Sequence, residues 1–302
     1  MSGPSFLLAL TYLAVLVFAI GVILRALKYA RAPMHLRWEL YPVPHEKGKG
    51  DYGGSYFEEI GWWSKPRETS LLDEIGAMLE EMLLIRSLWH RNRGQWYASF
   101  PFHGGIYLLF GFTLLLALGA VAETAGLAGA AWFGLLEGLT LIVGAVGLVA
   151  GIFGALSLLW RRLTDEKLKA SSNLSDYVNL LAILAVFLTA AFAWLAVDPS
   201  FSQLRGFMRG ALTLSPPARV APAIATEIVV AALFLIYLPF THMTHFVAKY
   251  FTYHQVRWDD APNLNDPRMI ARIEANLARP VGWSAPHIQS GKSWAEVATE
   301  VK

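Results

Sequence analysis

The sequence predicts an all-α integral membrane protein, a bundle of five transmembrane helices with the N-terminus outside and the C-terminus in the cytoplasm. Three observations carry that prediction. Of 302 residues, 55% are hydrophobic and only 16% are charged, against about 25% charge in an ordinary soluble domain. Apolar runs of the length a bilayer needs, about 20 residues at 1.5 Å rise each, recur five times along the chain. Finally, the Lys and Arg residues fall almost wholly on one side of those runs.

The first span runs from Phe6 to Ala30. It lacks the basic start of a signal peptide (Met1-Ser2-Gly3-Pro4-Ser5), and its positive charges follow it instead. Residues 31–99 form a polar loop with little periodicity up to Arg67. Then Asp73, Glu74, Glu80 and Glu81 alternate with Ile75, Met78, Leu79, Met82 and Leu83. That pattern predicts an amphipathic helix over 71–88, lying on the membrane surface or against a partner subunit. Residues 100–248 hold the remaining spans: Phe100 to Ala122, Ala131 to Trp160, Leu174 to Val197 and Pro222 to Ala248. Trp96, Tyr97, Trp160, Trp194 and Tyr250 stand near span ends as an aromatic belt. In the third span, glycine pairs four apart (Gly134/Gly138 and Gly147/Gly151) predict close helix packing. The tail, 249–302, opens a short helix at Asp266-Pro267, with Asp as cap and Pro at the first helical position. The last 24 or so residues offer no core of their own and are expected to lie on a cytoplasmic subunit.

Basic residues orient the bundle. Eleven lie between Arg25 and Arg93, four between Arg161 and Lys169, and seven from Lys249 onward; the other side holds only Arg205, Arg209 and Arg219. The positive-inside rule therefore puts the loop, the tail and the Arg161–Lys169 turn in the cytoplasm. The absence of cysteine excludes disulfides, thiolate metal sites, cysteine nucleophiles and iron–sulfur clusters bound by this chain itself. A net charge of +2 without a Lys/Arg-rich run argues against nucleic acid as a partner.

Depth sorts the eight histidines. His35, His45, His254 and His287 lie in polar segments, and His90 ends the amphipathic stretch. His103, near the start of the second span, and His242 and His245, near the end of the fifth, lie at matching depth on the cytoplasmic side. An ionisable group inside a membrane is costly without a partner. One partner that satisfies two facing imidazoles is a haem iron, with Gly104, Gly105 and Gly111 giving clearance. Hydrogen bonding to a neighbouring helix is the bland alternative. Periodicity does not choose between His242 and His245, which share one helical face.

The run Ser99-Phe100-Pro101-Phe102-His103-Gly104-Gly105, the run Leu238-Pro239-Phe240-Thr241-His242-Met243-Thr244-His245, and the turn Trp160-Arg161-Arg162-Leu163 resemble the gamma subunit family of respiratory nitrate reductase. That resemblance implies a five-helix cytochrome b with haem b between the second and fifth spans, His103 and His245 as its axial ligands, and His242 as a neighbour of the haem or of a quinone. Where the family carries the ligands of an outer haem, this sequence has Thr113 and Glu227, so one haem is expected rather than two. A second would need His242 or His90. The segments 34–46, 53–59 and 62–66, with Gly282 to His287 and Ser293 to Ala298, further resemble membrane cytochrome b subunits of sulfate-reducer transmembrane complexes. They imply a cytoplasmic iron–sulfur partner of the heterodisulfide-reductase type, a periplasmic multihaem cytochrome c, anaerobic respiration and a place in the cytoplasmic (inner) membrane.

The family exchanges electrons with menaquinone or ubiquinone, so a quinone site is expected. On the cytoplasmic side Asp176, Tyr177, Asn179, His242 and Lys249 are candidates. On the outer side Glu123 ends the second span, and Glu137 and Glu227 are candidates for a proton or quinone site. Ion pairing to Arg209 or Arg219 is the structural alternative for these carboxylates. The chain alone is then an electron carrier rather than a complete enzyme. A haem-free membrane anchor of the same kind of complex is the rival reading, and a transporter is disfavoured because no inverted repeat appears.

Overall fold

The structure, a computed structural model, describes residues 3–32, 43, 44, 46, 48, 55–61, 65, 66, 69–258 and 267–300. His35, His45, Asp266 and most of the loop motif at 34–46, with Gly53, Gly54 and Trp62 to Ser64, lie outside them. Among the described residues all regular structure is helical. Five of the helices among the described residues are long and apolar enough to cross a membrane. Inside a bilayer only a helix satisfies its own backbone groups, and these segments carry the hydropathy to stay there.

Helix α1 covers Gly3–Ala30. The expected amphipathic helix divides into α2, Leu71–Leu83, and α3, Arg86–Arg91. The division falls at Ile85, whose left-handed backbone (φ 51°) ends one helix and begins the next. Helix α4 covers Arg93–Thr124 and α5 Ala131–Thr164. A short α6, Glu166–Ser171, sits in the basic turn, capped by Asp165, and leads to α7, Leu174–Ala196. An unanticipated amphipathic helix, α8, Ser202–Leu212, fills the next connection before α9, Pro222–Tyr237.

The fifth span corrects the expectation of one helix through Ala248. Its apolar stretch ends at Phe240, because Pro239 has no N–H to donate and its ring crowds the preceding turn. A short 3₁₀ turn over Leu238–Phe240 gives way to an extended Thr241 (φ −108°, ψ 172°). The Thr241 hydroxyl then accepts the Met243 N–H at 3.1 Å. His242 starts a second 3₁₀ turn, and His245 opens α10, His245–Thr252. The two histidines therefore follow the break rather than lying in the span. In the tail, α11 is Pro267–Leu277 and α12 is Trp294–Thr299.

The chain divides into two compact units, Met1–Gly21 with Met78–Met243, and Val22–Ala77 with Thr244–Lys302. In the first unit the α4–α5 contact is set by glycine. A Cβ on Gly105 would stand 2.6 Å from Gly151 Cα and 2.8 Å from the Gly147 carbonyl, and one on Gly151 would stand 2.7 Å from the Phe187 ring of α7. Without side chains here, the backbones approach closely enough for dispersion to hold the pair. Gly134 and Gly138 meet nothing within 4 Å, so only the Gly147/Gly151 pair performs the packing its spacing predicts. Phe102, Ala155, Leu158, Leu180, Leu184 and Phe187 form the core between α4, α5 and α7. Elsewhere in the unit, Leu7 and Leu8 of α1 pack with Phe207, Ile224 and Ile228, and the Tyr12 hydroxyl donates to the Ala211 carbonyl at 2.6 Å.

In the second unit, His254 pairs with Glu74 at 3.3 Å and lies tilted against the Tyr250 ring, with centroids 4.3 Å apart. The tail is more ordered than its composition suggested. Val281 is buried, exchanging backbone hydrogen bonds with Lys292 and Gly291 at 2.7 and 2.9 Å. A Ser293–Glu296 capping box starts α12. The Ser293 backbone and hydroxyl donors hold the exposed Glu296 carboxyl below the usual range.

Candidate functional site

The first candidate histidine stands on α4, one turn after Ser99. Its Nδ1 lies 2.8 Å from the Ser99 carbonyl and 3.3 Å from the Ser99 hydroxyl. A carbonyl oxygen only accepts, so Nδ1 carries the hydrogen and Nε2 carries the lone pair. This arrangement fixes both the tautomer and the ring orientation, as metal-binding imidazoles require. Phe102 meets the ring edge-on at 5.3 Å, and Tyr107 lies beyond at 6.5 Å. The three glycines named for clearance divide. Gly105 is committed to the α5 contact, whereas a Cβ on Gly104 or Gly111 would meet nothing within 4 Å. His103 thus has the donor chemistry and the open flank a haem needs. His245 supplies a second imidazole on α10, in the other compact unit together with Lys249.

A second group of polar side chains gathers where α5 and α9 end and α7 begins. His242 Nε2 lies 3.2 Å from Asp176 Oδ1. The Asn179 amide nitrogen lies 3.2 and 3.4 Å from the two imidazole nitrogens. The Tyr237 hydroxyl donates to Asn179 Oδ1 at 2.9 Å. Asp176 also accepts the Asn173 N–H at 2.9 Å, closing the cap of α7, and has the Arg162 guanidinium at 3.8 Å. Of the residues the sequence singled out, the structure brings together Asp176, Asn179 and His242. Tyr177 turns its hydroxyl to the Arg162 carbonyl at 3.1 Å instead. Tyr237 was missed, and its only signal is a hydroxyl just before the Leu238-Pro239 break.

The opposite end of the same unit holds an ion-pair network. Arg205 of α8 is buried, with Nε 2.6 Å from Glu123 and an Nη 2.6 Å from Glu137, and Arg209 reaches Glu123 at 3.2 Å. The Arg205 guanidinium lies 5.3 Å from the Phe133 centroid, and its stem lies against Gly119. Glu137 is therefore engaged in this network, through Arg205 rather than the Arg209 or Arg219 considered from sequence. Glu227 of α9 makes no hydrogen bond or ion pair among the described residues. Thr113 returns its hydroxyl to its own helix, at the Leu109 carbonyl, 2.9 Å away.

A family model described as the nitrate reductase gamma subunit matches residues 87–259, more than half of the chain. The chain belongs to the nitrate reductase gamma subunit family. These are membrane cytochrome b subunits that bind haem b and transfer electrons within multi-subunit respiratory complexes. The match begins in α3 and takes in spans two to five with His103, His242 and His245; α1, most of the polar loop and the tail beyond residue 259 lie outside it. No curated protein and no solved structure was found to match.

Proposed function

We propose that this gamma-family subunit carries electrons between the quinone pool and a cytoplasmic iron–sulfur subunit of an anaerobic respiratory complex. In this reading His103 and His245 are the axial ligands of a single haem b, which supplies a one-electron carrier inside the membrane. The Nδ1–H of His103 on the Ser99 carbonyl is the observation that carries the assignment, since it leaves the Nε2 lone pair as the ligating atom. His242, three residues before His245, has its Nε2 beside a carboxylate and takes the role of a neighbour.

The quinone binds on the cytoplasmic side, near Asp176, Tyr177, His242 and Lys249. This side is favoured over Glu137 and Glu227 because Asp176 and His242 already face one another, whereas Glu137 is tied to Arg205. The N-terminus lies outside and the tail in the cytoplasm, in line with the basic-residue asymmetry. A chain without cysteine needs a partner for clusters. The loop and tail motifs favour a heterodisulfide-reductase-type protein there and a multihaem cytochrome c on the periplasmic side.

Menadiol, a soluble quinol, tests this reading when added to the purified complex, where it should reduce the haem b. A haem b that dithionite reduces and menadiol does not would contradict it.

A further inference from the structure

Side chains near the basic turn are ordered by a chain of polar contacts that begins at Tyr237. The Tyr237 hydroxyl donates to Asn179 Oδ1, which assigns the amide and turns its Nδ2 donor toward the imidazole. His242 Nε2 lies 3.2 Å from Asp176 Oδ1 and 3.2 Å from the Asn179 amide nitrogen, so carboxylate and amide both address that nitrogen. The same amide nitrogen stands 3.4 Å from Nδ1, a long and weak contact. Asn179 is buried and the Asp176 side chain is 16% exposed, whereas the His242 side chain is 55% exposed. The accessible member of the chain is the imidazole, and the members behind it hold its position. Asp176 from α7 faces it, Arg162 of α5 stands behind that carboxylate, and Tyr237 at the end of α9 reaches it through Asn179.

We infer that His242 exchanges a proton with the hydroxyl or carbonyl of the quinone ring, with Asp176, Asn179 and Tyr237 as its positioning residues. This rests on the quinone-linked reading above and names the proton acceptor within it. A quinol becoming a quinone loses two electrons and two protons. The electrons leave to the redox chain of the respiratory complex. One hydroxyl proton passes to the His242 imidazole, and the second leaves to water. The imidazolium so formed faces the Asp176 carboxylate, which has the Arg162 guanidinium 3.8 Å away on its other side. In the reverse direction the quinone takes two electrons, one proton from the imidazolium and one from water. A carboxylate behind an imidazole, fixing its tautomer and stabilising its charged form, is a recurrent arrangement for a general base.

The test is menadiol-driven reduction of haem b in the purified complex, followed as rate against pH and menadiol concentration. His242→Gln should lower the maximal rate by about 10²-fold, the usual contribution of a general base, with haem content and the dithionite-reduced spectrum unchanged. Asp176→Asn should lower the rate and flatten its pH profile, and Asp176→Glu should restore much of it. Tyr237→Phe, which keeps the ring and its packing, should displace the pH profile while leaving the menadiol concentration at half-maximal rate nearly unchanged. Variants that keep haem and retain the wild-type rate and pH profile overturn the inference. If His242→Gln costs haem, the Tyr237→Phe profile still decides, and an unshifted profile overturns the inference. A wild-type complex whose haem menadiol does not reduce is the separate failure of the quinone reading itself.

Discussion

Alanine in place of His103 is expected to leave a membrane-inserted chain that no longer holds haem b. Iron bound by two imidazoles has no other protein ligand, so losing either removes half of the axial set. Weakening a group that merely orients a metal ligand typically costs 10–100-fold in affinity, and losing the ligand itself should cost more. The absorption of the reduced haem should vanish in His103→Ala and in His245→Ala, and persist in His242→Ala. The contrast follows from the two histidine settings. His103 presents its hydrogen-bearing nitrogen to a carbonyl of its own helix, whereas His242 has Nε2 beside Asp176. Loss of haem in His242→Ala with retention in His245→Ala would show that the ligand on the fifth segment is His242.

The second large effect belongs to Arg205. Its guanidinium joins Glu123 at the end of α4 and Glu137 on α5 to α8, so one side chain ties three helices. Breaking a buried pair from one side costs about 3–5 kcal/mol, because the remaining charge stays buried without compensation. The Glu137 side chain is 44% exposed and can recruit water, which places Arg205→Ala near the low end, about 3 kcal/mol. Arg205→Lys should recover only part of this, since an ammonium cannot reproduce the fork that serves two carboxylates at once. Thermal unfolding of the purified variants in detergent, followed by tryptophan fluorescence, measures the difference. An Arg205→Ala midpoint equal to that of the native chain would show that the network contributes no stability.

Much of the architecture was written in composition. The bilayer demands about 20 apolar residues per helix, and that single length makes each span visible without any tertiary information. The Gly147/Gly151 spacing likewise announced a close helix contact, although spacing alone could not say that Gly134/Gly138 would face open space. The break after α9 was legible in Pro239, whose missing N–H acts locally, but the run of apolar residues on either side concealed it. Helix α8 carries an amphipathic pattern in Leu204, Phe207 and Ala211, obscured by two glycines.

The polar contacts were harder to read because they join residues far apart in the chain. Asp176 meets His242 across two helices, and Arg205 meets Glu123 from a connection that reads as loop. Nothing in local periodicity encodes such pairs. Matching membrane depth narrows the candidates to a few side chains at each end, and side-chain reach then selects among them. Tyr237 shows the remainder, a lone hydroxyl in an apolar run whose purpose is visible only once Asn179 is placed beside it.

The central claim is that this subunit holds one haem b between two histidines. Pyridine haemochrome analysis of the purified chain, normalised to protein by amino-acid analysis, measures it most directly. About one haem b per chain is expected. A haem-free chain would contradict the claim and support a simple membrane anchor, and a ratio near two would contradict the single-haem assignment.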